Sequence, residues 1–150
     1  MLTKDFMTTN VVTCSPEQTV GDAAKIMVEN GFSVIPVVDE NEDVVGTVTE
    51  SDFVGKEIEI PHALASIKQL FGQNFFFKDI EKVYENSKNL KLSKVMSGMP
   101  VSVNPDTPLS EVVQLMLTKN KKKLPVTEGR KLVGIVTRKD LIKAFQMLNN

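Results

Sequence analysis

Thr137 and Asp140 stand three residues apart in the stretch "TRKD", with Arg138 and Lys139 between them. An aspartate only accepts hydrogen bonds, so it suits the two vicinal hydroxyls of a ribose, and a threonine hydroxyl can donate to a sugar or phosphate oxygen. Bonds of this charge-assisted kind contribute about 1.5–3 kcal/mol each. If the stretch opens a helix, the first turn adds free N–H groups and partial positive charge, which favour phosphate. Lys119, Lys121, Lys122 and Lys123 lie a short way upstream and add cations. The same spacing recurs at Thr49 and Asp52, but there Glu50 and Ser51 fill the gap and Glu29 replaces the upstream cations. Two sites of one type are therefore expected with opposite electrostatics. The one at Asp140 can neutralise two or three phosphates, and the one at Asp52 would repel them.

A second explanation of both stretches needs no ligand. Thr-x-x-Asp ahead of a helical stretch is also a capping box, with the threonine as N-cap and the aspartate in the first turn. The run "KNKKK" likewise complements a helix C-terminus or forms a solvated basic turn. Both explanations stand at this level, and they are physically compatible.

Composition excludes several other classes. The chain has 150 residues, 41% hydrophobic and 25% charged, with a net charge of −1. That balance is ordinary for a globular protein and lacks the broad basic footprint of a nucleic-acid binder. Cys14 and His62 are each the sole residue of their type, so neither a disulfide nor a zinc cluster can be assembled within the chain. No Ser/His/Asp set, Cys/His set or glycine-rich phosphate loop stands out, so no catalytic residues are assigned. No apolar run approaches membrane-spanning length. The expectation is a soluble cytoplasmic protein.

The elements that must position these residues come in two copies. "GTVTESDF" at Gly46–Phe53 returns as "GIVTRKDL" at Gly134–Leu141, and Met7, Met27 and Pro36 align with Met96, Met116 and Pro125. Each copy, Met7–Val54 and Met96–Lys143, reads as β-α-β-β-α. "VVTCSP" and "VSVNP" predict short strands ending at proline. Val20, Ala23, Ala24 and Met27 share one helical face, opened by a Thr19–Asp22 capping box and stopped by Gly31. Leu109, Val112, Val113 and Met116 repeat that face, and Asn120 replaces the terminal glycine. "SVIPVVDENEDVVGTVT" and "KLPVTEGRKLVGIVT" each predict strand, turn, strand. Leu141, Ile142, Phe145 and Leu148 mark a final helix. Cys14 and the repeated methionines are expected in the core. The fold class is α/β. Residues 1–54 and 95–150 form the two halves, and 55–94 form a helical insert read from Leu64, Ile67, Leu70, Phe71, Ile80, Val83 and Tyr84. "FFF" at 75–77 is expected in the core or at a dimer contact.

Two copies in register, each with "PV", a turn and then G-h-h-T-x-x-D-h, resemble a tandem pair of cystathionine-β-synthase (CBS) domains, the Bateman module. The carriers are Pro36, Val37, Gly46, Thr49 and Asp52, and Pro125, Val126, Gly134, Thr137 and Asp140. The resemblance implies two units packed as a pseudo-two-fold pair, with clefts that take adenine nucleotides or related adenosyl ligands. It implies association into a homodimer, regulation of another protein and no catalysis. Carried over residue by residue, the main nucleotide site comprises Asp140 and Thr137, with Arg138, Lys139, Lys122, Lys123, Leu124, Pro125, Val101 and Ser102. The second, weaker cleft comprises Asp52, Thr49, Ser33, Val34, Ile35, Pro36, Val12 and Thr13. The ligand expected at the main site is AMP, ADP or ATP, with the participation of Mg²⁺ open. The alternatives are an S-adenosylmethionine sensor and a dimeric scaffold with no small ligand. Nucleic acid is not favoured as a partner, and the regulated protein is not identified.

Overall fold

The computed structural model describes residues 1–49, 81, 85 and 88–150. In chain order the elements are α1 (Thr3–Phe6), α2 (Val20–Asn30), β1 (Val34–Val38), β2 (Val44–Thr49), α3 (Leu92–Val95), α4 (Leu109–Thr118), β3 (Lys123–Glu128), β4 (Lys131–Thr137) and α5 (Arg138–Leu148). Among the described residues the strands form two two-stranded sheets, β1 with β2 and β3 with β4. This is the expected mixed α/β architecture of two repeats. Most of the helical insert expected at 55–94, including Leu64, Ile67, Leu70, Phe71, Ile80, Val83 and Tyr84, falls outside the described residues, as do His62 and the "FFF" run. Among the described residues, no helix is long and apolar enough to cross a membrane, and no group of three or more His, Cys, Asp or Glu could hold a metal ion.

The helix boundaries follow from the predicted caps. Thr19 caps α2, its hydroxyl accepting from the Asp22 N–H at 3.1 Å while the Asp22 carboxylate accepts from the Thr19 N–H at 2.9 Å. Gly31 closes the helix in the left-handed region at φ 65°. Asn120 does the same after α4 at φ 49°, and the Lys121 N–H then returns to the Met116 carbonyl at 2.9 Å. Val20, Ala23 and Met27 are buried on α2, and Val112 and Met116 on α4.

The chain divides into two compact bodies. One comprises Met1–Val12, Glu40–Val44 and Pro100–Asn150, and the other Thr13–Asp39 and Val45–Met99. Each body therefore takes a short arm from outside its main repeat. In the first, α1 docks below α4. The Thr3 and Lys4 N–H groups donate to Thr107 O and Pro105 O, each at 2.9 Å, and Leu109 N–H donates to Met1 O at 3.0 Å. In the second, α3 docks by the equivalent bonds, Leu92 N–H to Gln18 O at 2.7 Å, Ser93 N–H to Pro16 O at 3.0 Å and Val20 N–H to Leu90 O at 2.9 Å. The arms satisfy helix-terminal groups that would otherwise lack partners. Each body has its own core, around Ile35, Val37 and Leu92 in one and Leu124, Val126 and Val136 in the other. Cys14 lies in the first of these cores, and burial pushes its thiol up to about 11.

The strands expected at "VVTCSP" and "VSVNP" contract to single parallel bridges, Cys14 with Val37 and Val103 with Val126. Proline explains both. Val103 donates to Pro125 O and accepts from the Thr127 N–H. Extending that ladder in one direction would need an N–H on Pro125, and in the other an N–H on Pro105, and neither exists. Pro36 and Pro16 stop the Cys14 bridge in the same way.

The final helix forms where its apolar period predicts one, but most of that apolar stripe stays open. Asp140 and Ala144 are the buried residues of α5, and Leu141 packs on the core. Ile142, Phe145 and Leu148 are 67%, 45% and 62% exposed. The capping box turns Asp140 inward, and one helical face cannot bury Asp140 and Ile142 together.

Candidate functional site

Antiparallel pairing of β3 with β4 assembles the site. Lys123 pairs with Thr137, Leu124 with Val136, Pro125 with Ile135 and Val126 with Gly134, and the register then skips Val133. The pairing sets the basic turn before β3 beside the start of α5. Lys122, Arg138 and Lys139 are exposed, and Lys123 is half-buried, which lowers the pKa of its ammonium below the usual lysine value. Leu124 and Pro125 are buried beneath them.

Thr137 and Asp140 form the predicted capping box at the first turn of α5. The Asp140 Oδ2 accepts from the Thr137 N–H and the Thr137 hydroxyl, both at 2.8 Å. Its Oδ1 accepts from the Thr8 hydroxyl at 2.9 Å and from Lys143 Nζ at 3.3 Å. The side chain is 2% exposed. Burial alone would raise its pKa. The bonds from the Thr137 backbone and hydroxyl, then from Thr8 and Lys143, outweigh that and hold it below the usual aspartate value. The carboxylate is thus ionised, held in one orientation and in contact with the Lys143 ammonium.

Thr8 reaches this position because the N-terminal arm lies along the free edge of β4. Thr8 and Ile135 exchange backbone bonds at 2.9 and 2.8 Å. The arm crosses directly over Gly134, where a Cβ would lie 2.7 Å from Met7 Sδ and 3.0 Å from the Thr8 carbonyl oxygen. In the other body, Ser97 and Thr47 exchange the equivalent bonds, and a Cβ on Gly46 would lie 2.5 Å from the Ser97 carbonyl oxygen. The glycine of the repeated motif is therefore the place where each arm passes over its strand.

Val101 is half-buried and Ser102 exposed, with the Ser102 hydroxyl accepting from Thr127 at 3.3 Å. They lie on the edge of β3 away from β4, whereas Thr8 lies on the far edge of β4. In the other repeat, Ser33, Val34 and Thr49 are half-buried, Ile35 and Pro36 are buried, and Asp52 is outside the described residues. The division between the bodies falls between Val12, which is grouped with Asp140, and Thr13.

Sequence reasoning did not single out Thr8 or Lys143. Thr8 follows a repeated methionine and aligns with Ser97, so a hydroxyl recurs there. Lys143 stands one helical turn after Asp140. Neither spacing reveals that the two side chains meet on one carboxylate.

Comparison with known proteins agrees with this architecture. The profile of the CBS domain matches residues 4–59 and 92–147. Two proteins of Bacillus subtilis strain 168, YlbB and the CBS domain-containing protein YhcV, are each 33% identical to the chain. The alignments cover 92% of this chain, and 78% and 81% of theirs. The crystal structure of the CBS-pair protein CBSX2 from Arabidopsis thaliana superimposes with a TM-score of 0.76 at 27% identity, covering 99% of this chain and 97% of that one. A structure of CBSX2 in complex with AMP gives a TM-score of 0.74 at 25% identity, covering 99% and 98%. The chain belongs to the CBS-domain family and carries two CBS domains in tandem.

Proposed function

We propose that this chain is a regulatory module that binds an adenine nucleotide beside Asp140 and signals by a change of conformation. The observation that carries the reading is the buried, ionised Asp140 carboxylate at the N-terminus of α5, with Lys122, Lys123, Arg138 and Lys139 at the same end of the β3–β4 hairpin. Similarity to a CBS-pair protein crystallised with AMP supports it. In this reading Asp140 holds the ribose and Thr137 lies beside it or the phosphates. The four cations and the first turn of α5 take the phosphates. Leu124, Pro125, Val101 and Ser102 complete the pocket. The stretch around Asp52, where the sequence has Glu50 and, upstream, Glu29 in place of cations, is expected to take phosphorylated ligands only weakly. Residues 1–54 and 95–150 are the two CBS units and 55–94 an insert. The module works without catalysis of its own, as a cytoplasmic homodimer acting on a separate protein. The exposed Ile142, Phe145 and Leu148 on α5 support self-association.

A thermal-shift panel with AMP, ADP, ATP, GTP and S-adenosylmethionine, with and without Mg²⁺, tests the reading. Ligand at a hundred times its Kd adds about 2.7 kcal/mol, an easily measured shift. Adenine nucleotides are expected to raise Tm and GTP to leave it unchanged, and Asp140→Ala to abolish the response in a protein that still folds. A flat panel would exclude the sensor and favour a ligand-free scaffold.

A further inference from the structure

We propose that Thr8 and Lys143 act on the Asp140 carboxylate in opposite senses: Thr8 fixes it in the orientation that a ribose needs, while Lys143 occupies the acceptor position that the ribose must take. The proposal rests on the nucleotide reading above and deepens it. A carboxylate offers about four acceptor positions. Here Oδ2 accepts twice from Thr137, and Oδ1 accepts from Thr8 and from Lys143. Each ribose hydroxyl that bonds to this side chain must take the place of one of those donors, so the donor that leaves most easily decides where the ribose enters.

The four donors are not equally replaceable. The Thr137 N–H is backbone, and the Thr137 hydroxyl belongs to the cap of α5. Thr8 is held by backbone bonds in both directions to Ile135, so its hydroxyl approaches from a fixed point. Lys143 makes the longest contact, at 3.3 Å, and its side chain is 65% exposed. It carries its ammonium on a flexible four-carbon stem and can leave for water. Lys143 therefore yields to the ribose, and Thr8 stays. Lys143 is an internal competitor of the ligand, and Thr8 is a positioning residue supplied by the N-terminal arm.

Calorimetric titration of AMP into the full-length chain separates the two roles. Lys143→Met is expected to tighten binding by about three- to tenfold, because a competing charge-assisted bond is removed. Thr8→Val is expected to weaken it about tenfold and Thr8→Ser to restore it, since serine keeps the donor on the same backbone. A purely structural role for Lys143 would not tighten binding. The proposal is overturned if Lys143→Met binds AMP no better than the parent, or if Thr8→Val binds as well as Thr8→Ser. In either case a parent that binds AMP leaves the nucleotide site standing. A parent that binds no adenine nucleotide removes the site reading and this proposal together.

Discussion

At the scale of single residues, Asp140 ties the cap of α5 to the stability of the fold. Its carboxyl is held below the ordinary 3.8 by hydrogen bonds that outweigh its burial. A group whose folded pKa lies below its unfolded pKa stabilises the fold above the unfolded value, and the contribution disappears as pH falls through the folded value. Urea unfolding should therefore show the parent more stable than Asp140→Asn by about 1–3 kcal/mol near neutral pH. The gap should close below about pH 4. A gap that persisted unchanged in acid would mean that the charge on Asp140 contributes nothing to the fold. The two explanations of Thr-x-x-Asp turn out to describe one object, since the helix cap is what orients the carboxylate. That much is legible from residue types and spacing. Thr8 is not, because a partner 132 residues away in the chain leaves no local pattern; Lys143 stands at i,i+3 from Asp140, a spacing the sequence carries but that does not by itself mark a contact.

At the scale of elements, the close passage of an arm over a strand sets the strictest requirement. A methyl group on Gly134 would meet Met7 Sδ at 2.7 Å and the Thr8 carbonyl oxygen at 3.0 Å. Met7 is flexible at its sulfur, whereas Thr8 is tied by its backbone, so Gly134→Ala should displace the arm. Overpacking of this kind costs about 1–3 kcal/mol. The expected result is a lower Tm together with faster amide exchange at Met7 and Thr8. Unchanged exchange there would show that the arm tolerates the methyl. The helix stops were legible in the sequence because Gly31 and Asn120 both take the left-handed conformation that their types favour. The first strands of each repeat are shorter than their alternation predicts. Alternation of β-branched residues marks extended chain, but the ladder is decided by the proline in the partner strand. The apolar period of α5 correctly marks a helix, but a period shows that a face exists without showing what covers it.

At the scale of the whole molecule, that uncovered stripe makes a prediction about assembly. Ile142, Phe145 and Leu148 on α5 are exposed together, with Val28 on α2 and Leu117 on α4 also open at equivalent places in the two repeats. If these faces meet a second copy, Phe145→Glu should convert a dimer into a monomer in light scattering, with the β3–β4 core intact. A parent protein that is already monomeric would sink the idea. The arms have a consequence of a different kind, for how such a chain could arise and be divided. Duplication of an ancestral segment would give two copies in sequence, yet each folded body borrows its arm from outside its own copy. A gene cut between the copies would encode two incomplete folds. A fragment starting at Met96 would lack Thr3, Phe6, Met7 and Thr8, and with them the backbone partners of Thr107 and Ile135. The two repeats thus differ in the charge of their turns, yet each depends on an arm from outside its own copy and the two belong together as one piece.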